Sequence, residues 1–358
     1  MTPSAPVCYT KSMKKLSFRG WLTIVTLALL TLVMFFAWPE IQKAWGLMGR
    51  VDLWILALLI PVQLLSYYAT GGMIFSYLRS KGELKTMSHW KMTRLALELN
   101  FVNHVLPSGG AAGFSYLAWV LSRYKVSAAR STMAQIIRFT LTFISFVVLM
   151  LVALLILTLN HQVDRAMVLI AVTLAVLAIG ATFFVIWLVK SRARLTRFSG
   201  WVTRKVNALV KFFTGGRKKK ALKPAILLTF FEGLHDDYEA LTKERKILVR
   251  PFGWALIANI LDVALIWIAF WSLGFMLDPA LLFIAFGISS IASAVSVTPG
   301  GAGVYETIMV MFLAASGVTP EVAIAGTLLA RVVLLAGTIV FGYVFYQLTL
   351  ATYGKRTV

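Results

Sequence analysis

Five ionisable side chains stand within or at the edge of otherwise apolar stretches of this sequence: Glu98, Arg138, Asp262, Glu306 and Arg331. A charge at the centre of a bilayer costs about 3 kcal/mol on insertion scales, so such residues mark candidate sites. The two arginines suit a phosphate, whose oxygens a guanidinium grips through two parallel hydrogen bonds. Glu306 has two readings. It compensates a helix dipole or pairs with one of the arginines, or it recognises a cationic group or relays a proton. Asp262 is suited to pair with Arg138 or with Arg331, and the sequence does not choose between them. Asn100 and Asn103, three residues apart, share one side of a helix and are placed to hydrogen-bond backbone freed by a nearby break. His104, beside them, reads as a cap on that break rather than a titrating group.

The breaks themselves are two glycine-rich motifs. The first holds Pro107, Gly109, Gly110 and Gly113; the second holds Pro299, Gly300, Gly301 and Gly303. Proline removes a donor and clashes with the preceding turn, and glycine permits the backbone to reverse. Each motif separates two short apolar helices, expected to run roughly 15–18 residues, too short to cross comfortably. Irregular backbone at membrane depth must be buried in protein or line a wet cavity. Each motif therefore predicts a re-entrant helix–break–helix hairpin. The arms of the second are nearly long enough to cross, which would give eight spans in place of six. The plainer reading is that the glycines only allow close helix packing. Two breaks at matching places favour function. Half-helices beginning after Gly110 and Gly301 also aim backbone N–H groups and a positive dipole end at the break, which favours an anion.

Competing chemistries find little support. Glu232-x-x-His235 has no partner motif for a metal, and neither glycine-rich break ends in the Gly-Lys-Ser/Thr of a nucleotide-binding loop. The single cysteine, Cys8, precedes the first apolar run and forms no disulfide framework. No cofactor or metal is expected. The net charge of +21 would suit nucleic acid, but the basic residues fall in loops and no recognition fold can be assembled, so no nucleic-acid partner is expected.

The elements that must position these residues are apolar helices. The chain has 358 residues, 59% of them hydrophobic and 14% charged. Six spans are predicted, at 20–38, 53–78, 128–157, 166–190, 252–275 and 320–350, each able to cross a core of roughly 30 Å. Segment 1–19 is a basic N-terminus, 20–350 one transmembrane domain and 351–358 a short tail. The first span reads as a retained helix rather than a cleaved signal, because it is too long and lacks a small-residue cleavage site. Thirty of the 35 Lys and Arg lie on one side under this scheme: in the N-terminal segment, 79–94, 121–130, 190–250 and the tail. Lys43, Arg50 and Arg165 alone fall on the other side. This asymmetry places both termini and the loop 191–250 in the cytoplasm. That loop interleaves basic residues with Phe198, Trp201, Val202, Val206, Leu209 and Phe213 at helical spacing, which suits an amphipathic helix on the anionic cytoplasmic leaflet.

Segments 53–157 and 252–350 then match. Each runs span, broken hairpin, long span with a buried arginine. With the orientation above, the first hairpin enters from the cytoplasm and the second from the opposite face. The predicted fold is an all-α polytopic membrane protein with an inverted repeat, the architecture of alternating-access transporters.

The motifs Leu106-Pro107-Ser108-Gly109-Gly110 and Thr298-Pro299-Gly300-Gly301-Ala302-Gly303-Val304-Tyr305-Glu306 resemble those of the lysylphosphatidylglycerol synthase transmembrane, or flippase-like, family. The likeness extends from about Leu16 to Leu350. It implies a bacterial inner-membrane protein that moves a phospholipid between leaflets, as the flippase half of bifunctional multiple peptide resistance factors does. The chain ends at Val358, just after its last span, with no soluble aminoacyl-transferase segment, so synthase activity is not expected of it. The expected partners are a membrane phospholipid and the anionic leaflet, with a second copy of the chain or an envelope-synthesis enzyme as further candidates. The alternative from another class is a non-transporting scaffold that recruits such an enzyme through its basic loop.

Overall fold

The computed structural model describes residues 51–105, 111–159, 165–213, 224–295 and 301–353, with Thr31, Phe35, Trp38, Gln42 and Gly49. The expected first span lies almost wholly outside the described residues, as do Pro107, Gly109, Gly110, Pro299 and Gly300. The helices are α1 (Leu53–Ala57), α2 (Leu59–Ser80), α3 (His89–Val105), α4 (Ala111–Ser122), α5 (Ala128–Leu159), α6 (Arg165–Val189), α7 (Arg192–Phe213) and α8 (Pro224–Lys243). A 3-10 turn at Arg245–Leu248 leads into α9 (Val249–Ser272), followed by α10 (Pro279–Val295), α11 (Val304–Ala315) and α12 (Pro320–Tyr353).

Local chemistry sets several of these boundaries. Asp52 caps α1, its Oδ1 accepting from Trp54 N at 2.9 Å and Ile55 N at 3.3 Å. Pro61 has no N–H to give to Ala57, and the helix is interrupted at Leu58 between α1 and α2. Pro279 and Pro320 open α10 and α12, where a missing N–H costs nothing.

Four helical stretches among the described residues are long and apolar enough to cross a membrane: Leu53–Ser80, Ala128–Leu159, Arg245–Ser272 and Pro320–Tyr353. A fifth is a bent pair, Ala175–Val189 turning by 98° into Arg192–Lys205. These coincide with the second to sixth expected spans. The long helix α5 shows what drives the arrangement. It buries Met133, Ile137, Leu141, Met150 and Leu157 while exposing Val148, Leu151, Val152 and Leu155. A helix with an apolar outer face as well as an apolar inner one is built for lipid, not water.

The hairpins fold back at their breaks. Glu98 of α3 meets Tyr116 of α4, and Gly301, at the end of the second break, lies close against Ser293 of α10. The first arms have 17 residues each, α3 and α10, but the second arms, α4 and α11, have only 12. Among the described residues the first arms thus fall within the expected 15–18 and the second arms below it. Polar turns at Arg123–Ser127 and Ser316–Thr319 end the second arms early, before the next helix begins.

The bundle is assembled by exchange between its two halves. Helix α2 packs along α9; α12 packs on α3, the first arm of the other half's hairpin; and α5 packs on α10, its counterpart. Two buried amides tie the exchange. Gln63 of α2 donates to Leu334 O of α12 at 2.9 Å, and Asn259 of α9 donates to Thr142 O of α5 at 3.1 Å and to Ser145 Oγ at 2.6 Å. Both receiving carbonyls lie about one turn beyond an arginine, Arg331 in α12 and Arg138 in α5.

Candidate functional site

A cavity of about 340 Å³ opens where α2, α3, α5, α9, α10 and α12 converge. Its polar lining includes Gln63, Ser66 and Tyr67 from α2, Asn100 and His104 from α3, Arg138, Asp262 and Arg331. Ser290 and Ser293, just before the second break, and Tyr305, just after it, complete the opposite wall. Residues flanking both breaks thus face one space, with an arginine from each half beside them.

The two arginines are held differently. Arg331 donates through Nε to Glu306 Oε1 at 2.7 Å, and its guanidinium lies 4.9 Å from the Tyr305 ring centre. Glu306 is 7% exposed, and its second oxygen accepts from Gly303 N at 2.7 Å. It therefore caps α11 and neutralises Arg331 at once. Gly303 and Gly301 both have positive φ, 84° and 72°, a backbone that only glycine adopts without strain.

Arg138 has no such counter-charge. Its Nε donates to Gln135 Oε1 at 2.8 Å, and its guanidinium stacks 4.1 Å from the Phe139 ring centre. No carboxylate among the described residues lies within ion-pair distance of it. Asp262 pairs with neither arginine; its Oδ1 accepts from Ser66 Oγ at 2.6 Å instead. Among the described residues the cavity thus presents one guanidinium without a carboxylate partner and one carboxylate bonded to a hydroxyl.

The other expected site residues divide. Asn100 lines the cavity and its carbonyl accepts from His104 Nδ1 at 2.9 Å, the backbone-capping role anticipated for that histidine. Asn103 is not among the cavity's lining residues and packs on Gly113, where a Cβ would overlap its amide; its buried Oδ1 has no partner among the described residues. Asn100 and Asn103 therefore do not act on one face together, because the four-residue step to His104 carries the cavity side of α3 past Asn103. Glu98 is structural. It holds Arg94 at 2.8 Å, Tyr116 at 2.7 Å and Thr349 at 2.7 Å, fastening α3 to α4 and α12.

Sequence reasoning from charge missed the neutral groups. Gln63, Tyr67 and Thr338 form a chain, Gln63 Nε2 to Tyr67 Oη at 2.8 Å and Tyr67 Oη to Thr338 Oγ1 at 2.6 Å, along one side of the cavity. A usable signal was present: Gln63 and Ser66, and Asn259 and Asp262, are polar pairs with the same three-residue spacing on matching apolar helices.

A family model described as the lysylphosphatidylglycerol synthase TM region matches residues 22–342. The chain belongs to this family. Among relatives of the lysylphosphatidylglycerol synthase transmembrane-region type, a UPF0104 membrane protein of Methanothermobacter thermautotrophicus is 23% identical over 238 residues, 65% of this chain and 67% of that protein. A UPF0104 membrane protein of Methanocaldococcus jannaschii is 26% identical over 114 residues, 30% of this chain and 34% of that one. No solved structure matches the chain. The family match covers both hairpins and both arginines, so the cavity is built from the family's own region.

Proposed function

We propose that this chain is a lipid transporter that moves a phosphate-headed lipid between leaflets by alternating access. The observation that carries this is Arg138, a guanidinium without a carboxylate partner among the described residues, facing a cavity flanked by both chain breaks. Desolvating a lone guanidinium is costly, and an anion arriving in the cavity relieves that cost. A phosphate diester supplies the charge and two oxygens for the guanidinium fork. Its acyl chains stay in the bilayer while the headgroup occupies the cavity.

The architecture supports movement between faces. At about 1.5 Å per residue, the described arms of 17 and 12 residues span about 25 Å and 18 Å, short of a core of roughly 30 Å, which supports reading both hairpins as re-entrant. The distribution of Lys and Arg puts the first hairpin on the cytoplasmic side and the second on the outer side of a plasma membrane. The packing of α3 on α12 and α10 on α5, with its two amide ties, supports an inverted-repeat reading. Glu306 balances the charge of Arg331, so Arg138 carries the headgroup contact and Asp262, in the same cavity, orients it.

The test is headgroup accessibility in vesicles reconstituted with the full chain and a fluorescent phospholipid. Wild-type protein should move headgroups between leaflets, and Arg138→Gln should slow that movement by about 10- to 100-fold, the worth of a charge-assisted contact of roughly 1.5–3 kcal/mol. Movement no faster than in protein-free vesicles would sink the transport reading. Movement unchanged in Arg138→Gln would remove Arg138 from it.

A further inference from the structure

A second, larger cavity lies on the same three helices, nearer their basic ends. It encloses about 850 Å³ between α2, α3, the 3-10 turn and α9. Its walls include Gly71, Gly72, Phe75, Met92, Trp254 and Ile257, and its mouth carries Arg79, His89, Lys246 and Arg250. No Asp or Glu lines it among the described residues. We propose that this groove is a docking site for an anionic phospholipid of the cytoplasmic leaflet, distinct from the central cavity.

Three observations support that occupant. The charge is one-sided: Arg79 donates to Met87 O at 2.6 Å and stands 3.3 Å from His89 Nε2, and among the described residues no carboxylate pairs with it and its buried Nε has no partner. Lys246 and Arg250, exposed at the rim, form no ion pair among the described residues. The body of the groove is apolar and aromatic. Trp254 lies so close on Gly72 that a Cβ there would fall 2.7 Å from the indole, and Tyr68 meets Trp254 edge-on at 5.4 Å. Aromatic rings at the level of the headgroups and basic groups just beyond them are how membrane proteins hold an anionic lipid.

A contrasting groove sharpens the assignment. A cavity of about 400 Å³ between α5, α9 and α10, including Leu149, Ile260, Trp267 and Phe283, carries no ionisable residue among the described ones. Apolar grooves on this bundle are therefore not basic by default. The position also orders the two cavities. Arg250, Trp254 and Ile257 line the basic groove and Asp262 and Ile266 the central cavity, in succession along α9; His89 and Met92, then Asn100 and His104, follow the same order along α3. A lipid held in the groove stands on the route to the central cavity, a consequence that rests on the transport reading, whereas the binding itself does not.

The experiment measures binding without transport. The purified full chain in detergent is titrated with phosphatidylglycerol, with phosphatidylcholine of the same chains and with inorganic phosphate, and bound lipid is counted by native mass spectrometry. Wild-type protein should favour phosphatidylglycerol. Lys246→Gln with Arg250→Gln should reduce that preference about 30-fold, two basic residues at about fivefold each. Gly253→Leu provides the second variant. Its Cβ meets nothing within 4 Å, so the side chain fills the groove without a clash, and a helical Gly replaced by Leu gains stability. It should lose both lipids while melting no lower than wild type. Equal binding of the two lipids, unchanged binding in Gly253→Leu, or displacement of phosphatidylglycerol by inorganic phosphate alone would each overturn the proposal. Because no step requires lipid to cross, a failed vesicle assay leaves this result standing, and the reverse.

Discussion

Replacing Glu306 tests whether the two arginines differ as their surroundings say. Glu306 is 7% exposed, 2.7 Å from Arg331 Nε and 2.7 Å from Gly303 N. Glu306→Ala removes both bonds. Breaking a buried ion pair by deleting one partner costs about 3–5 kcal/mol, because the survivor keeps its charge. Losing a helix cap adds about 1 kcal/mol. The Arg331 side chain is 22% exposed towards the cavity and keeps the Tyr305 ring, which favours the lower end, about 3–4 kcal/mol in all. Glu306→Gln has one acceptor oxygen where Glu306 uses two, so it keeps either the Gly303 N or the Arg331 bond and turns an NH2 towards the other donor; it should cost less than Glu306→Ala, about 2–3 kcal/mol. Arg138→Met orphans no carboxylate and relieves a desolvated charge, so it should be neutral or stabilising. Equilibrium denaturation in detergent, followed by helical circular dichroism, reads all three. Adding Arg331→Met to Glu306→Ala should recover most of the loss. The reasoning fails if Arg138→Met costs as much as Glu306→Ala, or if the double variant is no better than the single.

The remaining predictions concern how the bundle is fastened. Gln63→Leu and Asn259→Leu should each lower stability by about 1–2 kcal/mol, with the two losses additive in the double variant, since the amides sit in separate contacts. Gly113→Ala should lose stability by overpacking on Asn103, and Asn103→Ala in the same chain should return it, as denaturation midpoints would show. Arg130 bridges Glu83 at 2.9 Å and Asp237 of α8 at 3.0 Å. Arg130→Ala should loosen α8 locally, and hydrogen exchange across 230–243 should quicken with little change elsewhere.

Much of this fold was legible because lipid makes simple demands. Apolar runs of span length predicted the crossing helices, and proline and glycine at 107–113 and 299–303 located the turn-backs within a few residues of where the arms end. The placement of Arg138, Asp262 and Arg331 in one cavity followed from the rule that charges avoid lipid. What the sequence withheld was pairing. Arg331 chose Glu306 over Asp262 because the helix following Gly303 brings its third residue against α12, a three-dimensional fact with no spacing rule behind it. The neutral chain of Gln63, Tyr67 and Thr338 escaped notice because hydroxyls and amides are common in apolar helices, and only their partners reveal a function.

The amide ties of Gln63 and Asn259 also govern how the halves can slide. Each amide is bonded to a carbonyl of a helix in the other half, and equivalent carbonyls on a helix recur about every 5.4 Å along its axis. Between those positions a displaced amide would lose its acceptors on the facing helix, Gln63 keeping only Tyr67 Oη of its own helix, at about 1 kcal/mol or more apiece. Relative motion of α2 against α12, and of α9 against α5, is therefore quantised. It advances by whole turns or returns to its starting notch, and a protein built this way rests in discrete states rather than drifting between them.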